Sequence, residues 1–141
     1  MKLRWIMNNQ DGASAVEFAI ILPLFLLIVF GAVEWGLYLF NDHIITDAGR
    51  RGARLGVLQV SPRNSESAIR DEVLNYTGSH LVTFGTQNTP SVTVPAICVT
   101  FGNDLEVNVS YNYHFLLLPA LTAGKVSPSK TITARTVMKC E

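Results

Sequence analysis

Residues 18–33 run sixteen positions without a charged side chain, and after Glu34 the apolar character resumes through Trp35, Leu37, Tyr38, Leu39 and Phe40. At about 1.5 Å per residue, a helix over residues 18–40 is roughly 34 Å long, enough to cross a hydrocarbon core of about 30 Å. The segment predicts one transmembrane helix. Glu17 and Glu34 are separated by roughly 25 Å along such a helix, so the two acids can bracket the span. Trp35 and Tyr38 fit an outer aromatic belt, and Trp5 with Lys2 and Arg4 fits the inner interface. On this placement Glu34 is an ordinary boundary residue. Glu17 demands more, because a charge at a helix centre in lipid costs about 2.5–3.5 kcal/mol on insertion scales, and an acid at the mouth of a span is first read as functional. Pro23 lies inside the span, where it removes a hydrogen-bond donor to the Ala19 carbonyl and tends to bend or locally open the helix.

The 141-residue chain has no net charge, with eleven basic and eleven acidic side chains, so nothing points to nucleic acid. Mean hydropathy is +0.27, and the apolar residues are concentrated near the N-terminus. Residues 61–141 read as an ordinary soluble domain, which makes the chain two-part. Counting basic residues does not settle orientation, since Arg50, Arg51 and Arg54 follow the span as Lys2 and Arg4 precede it. A folded C-terminal domain translocates largely regardless of charge, and Asp42 and Asp47 offset the arginines, which favours a cytoplasmic N-terminus. Asp47 and Arg51 form an i,i+4 pair on the continuing helix.

Ile44, Ile45, Ala48, Gly52, Leu55 and Gln59 approximate a helical stripe, so the membrane helix is expected to continue to about residue 59. Gly49, Gly52, Ala53 and Gly56 permit close backbone approach. Each glycine costs about 1 kcal/mol of helix propensity against Ala. Packing against the head or another subunit must compensate, and packing against a partner is the preferred reading. Residues 64–78 predict a second helix with polar N-terminal caps, an Ile69, Val73, Tyr76 face and Gly78 as its stop. Residues 79–91 read as loop, with a short extended piece around 81–84. The period then changes to two. Val99 and Phe101 precede a Gly102-Asn103-Asp104 turn, residues 105–115 form a long strand, and residues 131–138 a third, after a loop from Pro119 to Pro128. The expected fold is α+β: a long N-terminal transmembrane helix over 13–60, crossing at about 18–40, then a 61–141 head with a second short helix and an antiparallel sheet of about three to four strands.

Cys98 and Cys140 are the only cysteines and can bridge in an oxidising compartment. If residues 105–115 form the central strand, its neighbours lie about 9.6 Å apart, beyond disulfide reach, so a bridge requires Cys140 past the sheet edge or another strand order. Catalytic patterns are missing from the sequence: there is no phosphate-binding Gly-rich loop, Cys-x-x-Cys or nucleophile elbow. His43, His80 and His114 are scattered, and His43 with Asp47 supplies two potential ligands, short of a zinc site. The expectation is a protein that is not an enzyme, with no cofactor, no metal site and no small-molecule substrate.

The opening of the chain resembles the type IV pilin-like proteins, in which a short basic leader ends in Gly and Glu stands at mature position five. Here Gly12 is followed by Ala13, Ser14, Ala15, Val16 and Glu17, then the apolar helix. Ala13 stands where many type IV pilins have Phe. Within that superfamily, "GASAVEFAIILPLFLLIVFGAVEWG" and "ITDAGRRGARLGV" resemble the TadE-like minor pseudopilins of tight-adherence (Tad/Flp) pili, most strongly over residues 12–57. The tail segments "VNVSYNYHFLLLPALTAG" and "ITARTVMKCE" resemble such proteins more loosely. The resemblance implies a leader over 1–12 and cleavage between Gly12 and Ala13 by an aspartyl prepilin peptidase. It further implies pairing of Glu17 with the new amine, commonly on a neighbouring subunit. Implied partners are the membrane, the peptidase, other pilins and minor pseudopilins and the pilus assembly platform; implied roles are pilus assembly, adhesion and surface attachment. The implied location is the inner membrane with the head outside the cytoplasm, and the extracellular pilus after assembly. A signal-anchored extracytoplasmic binding or adhesin domain that never polymerises is the alternative.

Overall fold

The computed structural model describes residues 10–83 and 88–141, in the order α1 (Gln10–Val57), α2 (Glu66–His80), β1 (Ser91–Ala96), β2 (Asp104–His114), α3 (Leu118–Leu121) and β3 (Ser129–Lys139). Expectations for Lys2, Arg4, Trp5 and Phe84 lie outside the described residues. The fold is α+β: one long N-terminal helix, a shorter helix and a three-stranded antiparallel sheet in the order β1-β2-β3.

Helix α1 spans 48 residues and stays helical through Pro23. Its first half is uncovered, with Val16, Phe18, Ile20, Ile21, Leu24, Phe25 and Ile28 all exposed. From Gly31 onward one side carries the head. The buried positions Glu34, Tyr38, Asn41, Ile45, Ala48 and Gly52 recur at alternating spacings of four and three, a single seam along the helix. The helix ends at Val57, before the expected Gln59. There the Asn64 side chain donates to the Leu55 carbonyl at 2.6 Å and the Glu141 N–H donates to the Val57 carbonyl at 3.4 Å, satisfying two of the orphan acceptors of a helix C-terminus.

The glycines of that seam serve the chain's own head, which corrects the preference for a partner subunit. A Cβ on Gly52 would lie 2.5 Å from Cγ2 of Val73, and one on Gly56 would lie 2.6 Å from Leu105 and 2.7 Å from Ile69. Gly49 faces Thr136 of β3 and Val109 of β2, and Ala53 is fully buried beside them. Close approach of α2 and the sheet therefore fills the surface on which another helix would have packed.

Helix α2 is capped by Ser65, whose hydroxyl accepts from the Ala68 N–H at 3.3 Å. It buries Ile69, Val73 and Thr77, while Tyr76 is half-buried beneath the Arg51 guanidinium, 4.2 Å from the ring centroid. Arg51 is thus engaged with Tyr76, and Asp47 pairs with Arg50 at 3.5 Å in place of the expected Arg51. Gly78 lies inside the helix rather than ending it; its exposed site tolerates helical backbone, and the chain leaves the helix at Leu81.

Strand β2 alternates as its sequence requires, with Leu105, Val107, Val109, Tyr111 and Tyr113 buried against α1 and their polar neighbours on the open face. Strand β1 corrects the expectation at 99–101. Val92 and Val94 supply the inward positions, whereas Val99 and Phe101 lie outside the sheet and are exposed. The β1-β2 register breaks between Thr93 and Ala96, around Pro95, which cannot donate to the ladder. Strand β3 pairs with β2 in unbroken register from Asp104↔Lys139 to His114↔Ser129. The connection between them, expected as loop, contains the short helix α3.

Cys98 and Cys140 are joined by a disulfide with a Cα separation of 5.6 Å. Both lie past their strand ends. The Cys140 N–H donates to the Asn103 carbonyl at 2.8 Å and the Gly102 N–H to the Cys140 carbonyl at 3.0 Å, which draws Cys140 across the start of β2 toward Cys98. Gly102 turns there with φ +83°, a conformation that favours glycine.

Candidate functional site

The two cysteines singled out in the sequence lie past the ends of β1 and β3, and the processing, assembly and helix-packing residues all lie on α1. At the lower end, Gly12, Ala13, Val16, Glu17 and Ile20 share one exposed face, with Ala13 and Glu17 one turn apart. Pro23 is exposed less than two turns further on. None of these residues is covered by the head, so the surface here is helix alone.

At the upper end the structure assembles a site that sequence reasoning missed. Glu34, expected at a simple span boundary, is 4% exposed. Its carboxylate accepts from three successive backbone amides: one oxygen takes the N–H groups of Leu116 and Leu117, the other that of Leu118 at 2.7 Å, with Leu117 shared at 3.0 and 3.2 Å. The acid therefore clasps the connection between β2 and β3. Converging N–H dipoles satisfy a carboxylate well away from water.

Above the clasp, Tyr38 belongs to the head's core rather than to a lipid-facing belt. It packs edge-on to Tyr113 at 5.7 Å and stacks with Phe115 at 5.9 Å, while Trp35, half exposed, stacks on Tyr38 at 5.2 Å. The Lys130 ammonium stands 5.0 Å from the Tyr38 ring and 5.4 Å from the Trp35 ring. Burial of the Tyr113 phenol, followed by the nearby charge of Glu34 and then Tyr111, pushes its pKa above the usual tyrosine range. One turn higher, fully buried Asn41 donates to the Val82 carbonyl at 2.7 Å and accepts from the Val82 N–H at 3.0 Å, pinning the segment after α2. Extending the four-and-three seam back from Ala48 passes through Asn41 and Glu34, and that was the available signal for both.

On the open face of the sheet, Arg135 grips Glu106 through two bonds of 2.9 and 2.8 Å, and Asn108 donates to the same carboxylate at 2.8 Å. The Arg135 hydrogen bond first, and that from Asn108 second, hold the Glu106 carboxyl below its ordinary value. Among the described residues no three His, Cys, Asp or Glu side chains converge as a metal site; His43 and His114 are exposed, and His80 stacks on Tyr76 at 4.3 Å.

Among the described residues one helix, α1, is long and apolar enough to cross a membrane, and it is joined to a three-stranded α+β head. Residues 12–54 match the family model described as TadE-like protein, so the similarity covers most of α1 and none of the head. No curated protein and no solved structure matches the chain.

Proposed function

We propose that the chain is a minor pseudopilin, a structural component or initiator of Tad/Flp pilus assembly acting in adhesion or surface attachment. The observation that carries this reading is the Gly12-to-Glu17 spacing on an uncovered apolar helix within the TadE-like segment. A prepilin peptidase of the inner membrane would cut between Gly12 and Ala13, and the bond-breaking chemistry would be that enzyme's. The new amine of Ala13 lies one turn below Glu17, so neighbouring subunits side by side bring cation and carboxylate together. A carboxylate costly in lipid is stabilised when it meets such an amine with good hydrogen bonding, and that favours one register of packing. The exposed apolar side chains of α1 supply the remaining helix surface, for lipid before assembly and for other pilins within the filament. The Cys98–Cys140 disulfide supports an extracytoplasmic head and hence a cytoplasmic N-terminus.

In cells bearing the pilus, Glu17→Ala is expected to leave membrane insertion intact while removing the subunit from the sheared pilus fraction or lowering piliation. Unchanged incorporation would overturn this role for Glu17 and favour an anchored binding domain that does not polymerise.

A further inference from the structure

The geometry points to a second membrane contact: the apolar connection over residues 115–121 dips into the outer leaflet beside α1, with phospholipid acyl chains as its partner. The inference rests on α1 crossing the bilayer. A core of about 30 Å that starts just above Glu17 reaches to about residue 38. Leu118 lies against Gly31, 3.6 Å from where its Cβ would be, and Leu116 and Leu117 line a 220 Å³ apolar recess with Phe30, Val33 and Leu37. The connection is therefore level with the last two turns of the core, and Glu34 lies about 6 Å below its edge.

Three features suit that depth. The stretch carries no charge between His114 and Lys125, and Leu116 is 55% exposed, directly beside the lipid-facing part of α1. Its leading amides need no water: Phe115 donates to the Pro128 carbonyl at 2.9 Å, Leu116, Leu117 and Leu118 donate to Glu34, and Pro119 has no N–H. Backbone at membrane depth is tolerated only when satisfied in this way. Lys130, 5.0 Å from the Tyr38 ring, then sets an ammonium near the upper edge of that core, where an interfacial cation belongs. The buried acid thus acquires a reason: it replaces water for a loop that has left water.

The test uses the full chain in phosphatidylcholine–phosphatidylglycerol vesicles, with an environment-sensitive fluorophore on Leu116→Cys, on Ile21→Cys in the span and on Thr133→Cys, exposed on β3. Native cysteines are disulfide-bonded and do not label. Leu116→Cys is expected to show blue-shifted emission quenched by spin labels high on the acyl chain, Ile21→Cys, about 5 Å inside the opposite face of the core, likewise, and Thr133→Cys by none. Quenching at position 21 with position 116 behaving like 133 would overturn the loop contact alone. No quenching at position 21 would overturn the membrane anchor itself. A blue shift at 116 without lipid quenching, lost on dilution with lipid, would place a second copy on the loop and also overturn the proposal.

Discussion

Glu34→Ala removes the one acceptor shared by three successive amides and is the sharpest perturbation the head offers. Leaving even one buried N–H without a partner costs about 1–3 kcal/mol. Since Leu118 reaches a carboxylate oxygen at 2.7 Å and Glu34 is almost fully buried, at least that penalty is expected. Converted at about 1.4 kcal/mol per tenfold, local opening becomes roughly 5- to 150-fold more frequent. Glu34→Gln keeps one carbonyl oxygen for Leu116 and Leu117 but turns an amide NH₂ toward Leu118, so its effect should fall between wild type and Ala. The assay is amide hydrogen–deuterium exchange on the full chain in detergent micelles, resolved at Leu116, Leu117 and Leu118, with the β2 amides as internal reference. Exchange should accelerate in the order wild type, Gln, Ala at those three positions while Val107 and Val109 stay protected. Equal protection in all three proteins would refute the clasp.

The glycines of α1 and α2 should respond oppositely to one substitution. Gly78→Ala, with nothing within 4 Å of the new methyl, is expected to stabilise by about 0.5–1 kcal/mol, whereas Gly52→Ala and Gly56→Ala meet atoms at 2.5–2.7 Å and should net about 0–2 kcal/mol of destabilisation after their helix-propensity gain, read from denaturant midpoints. Both clashing methyls touch Ile69, so the double variant should be non-additive. The disulfide closes a loop of 42 residues, and Cys98→Ser with Cys140→Ser should lower stability by about 4 kcal/mol on the chain-entropy model, measured by denaturation without reductant. Because Glu106 has a folded pKa below its ordinary 4.5, its contribution is present above that pH and is lost as pH falls through the lower folded value. Arg135→Gln should raise the Glu106 pKa in a carboxyl NMR titration, and an unchanged titration would show that Arg135 does not hold it.

What the sequence revealed followed from local periodicity. An uncharged apolar run and a strict period of two suffice for α1 and β2, because burial on one face is written into consecutive residues. Strand β1 was obscured since only Val92 and Val94 point inward before Pro95 interrupts the ladder, while Val99 and Phe101 imitate a strand in a segment held by Cys98. The seam could have placed Glu34 on the buried side of α1, but its role as a clasp was illegible for a different reason. Its partners are main-chain amides 82 to 84 residues away, and backbone donors carry no side-chain signature. The seam glycines were legible as a demand for close packing, but whether α2 or another subunit met it depended on how the head folds back.

The central claim is that this chain is a peptidase-processed TadE-like pilus subunit. Intact mass and N-terminal sequencing of the protein from native membranes, beside a strain lacking the prepilin peptidase, test it most directly. The account predicts a start at Ala13 that disappears without the peptidase. A start at Met1 in both strains would contradict it.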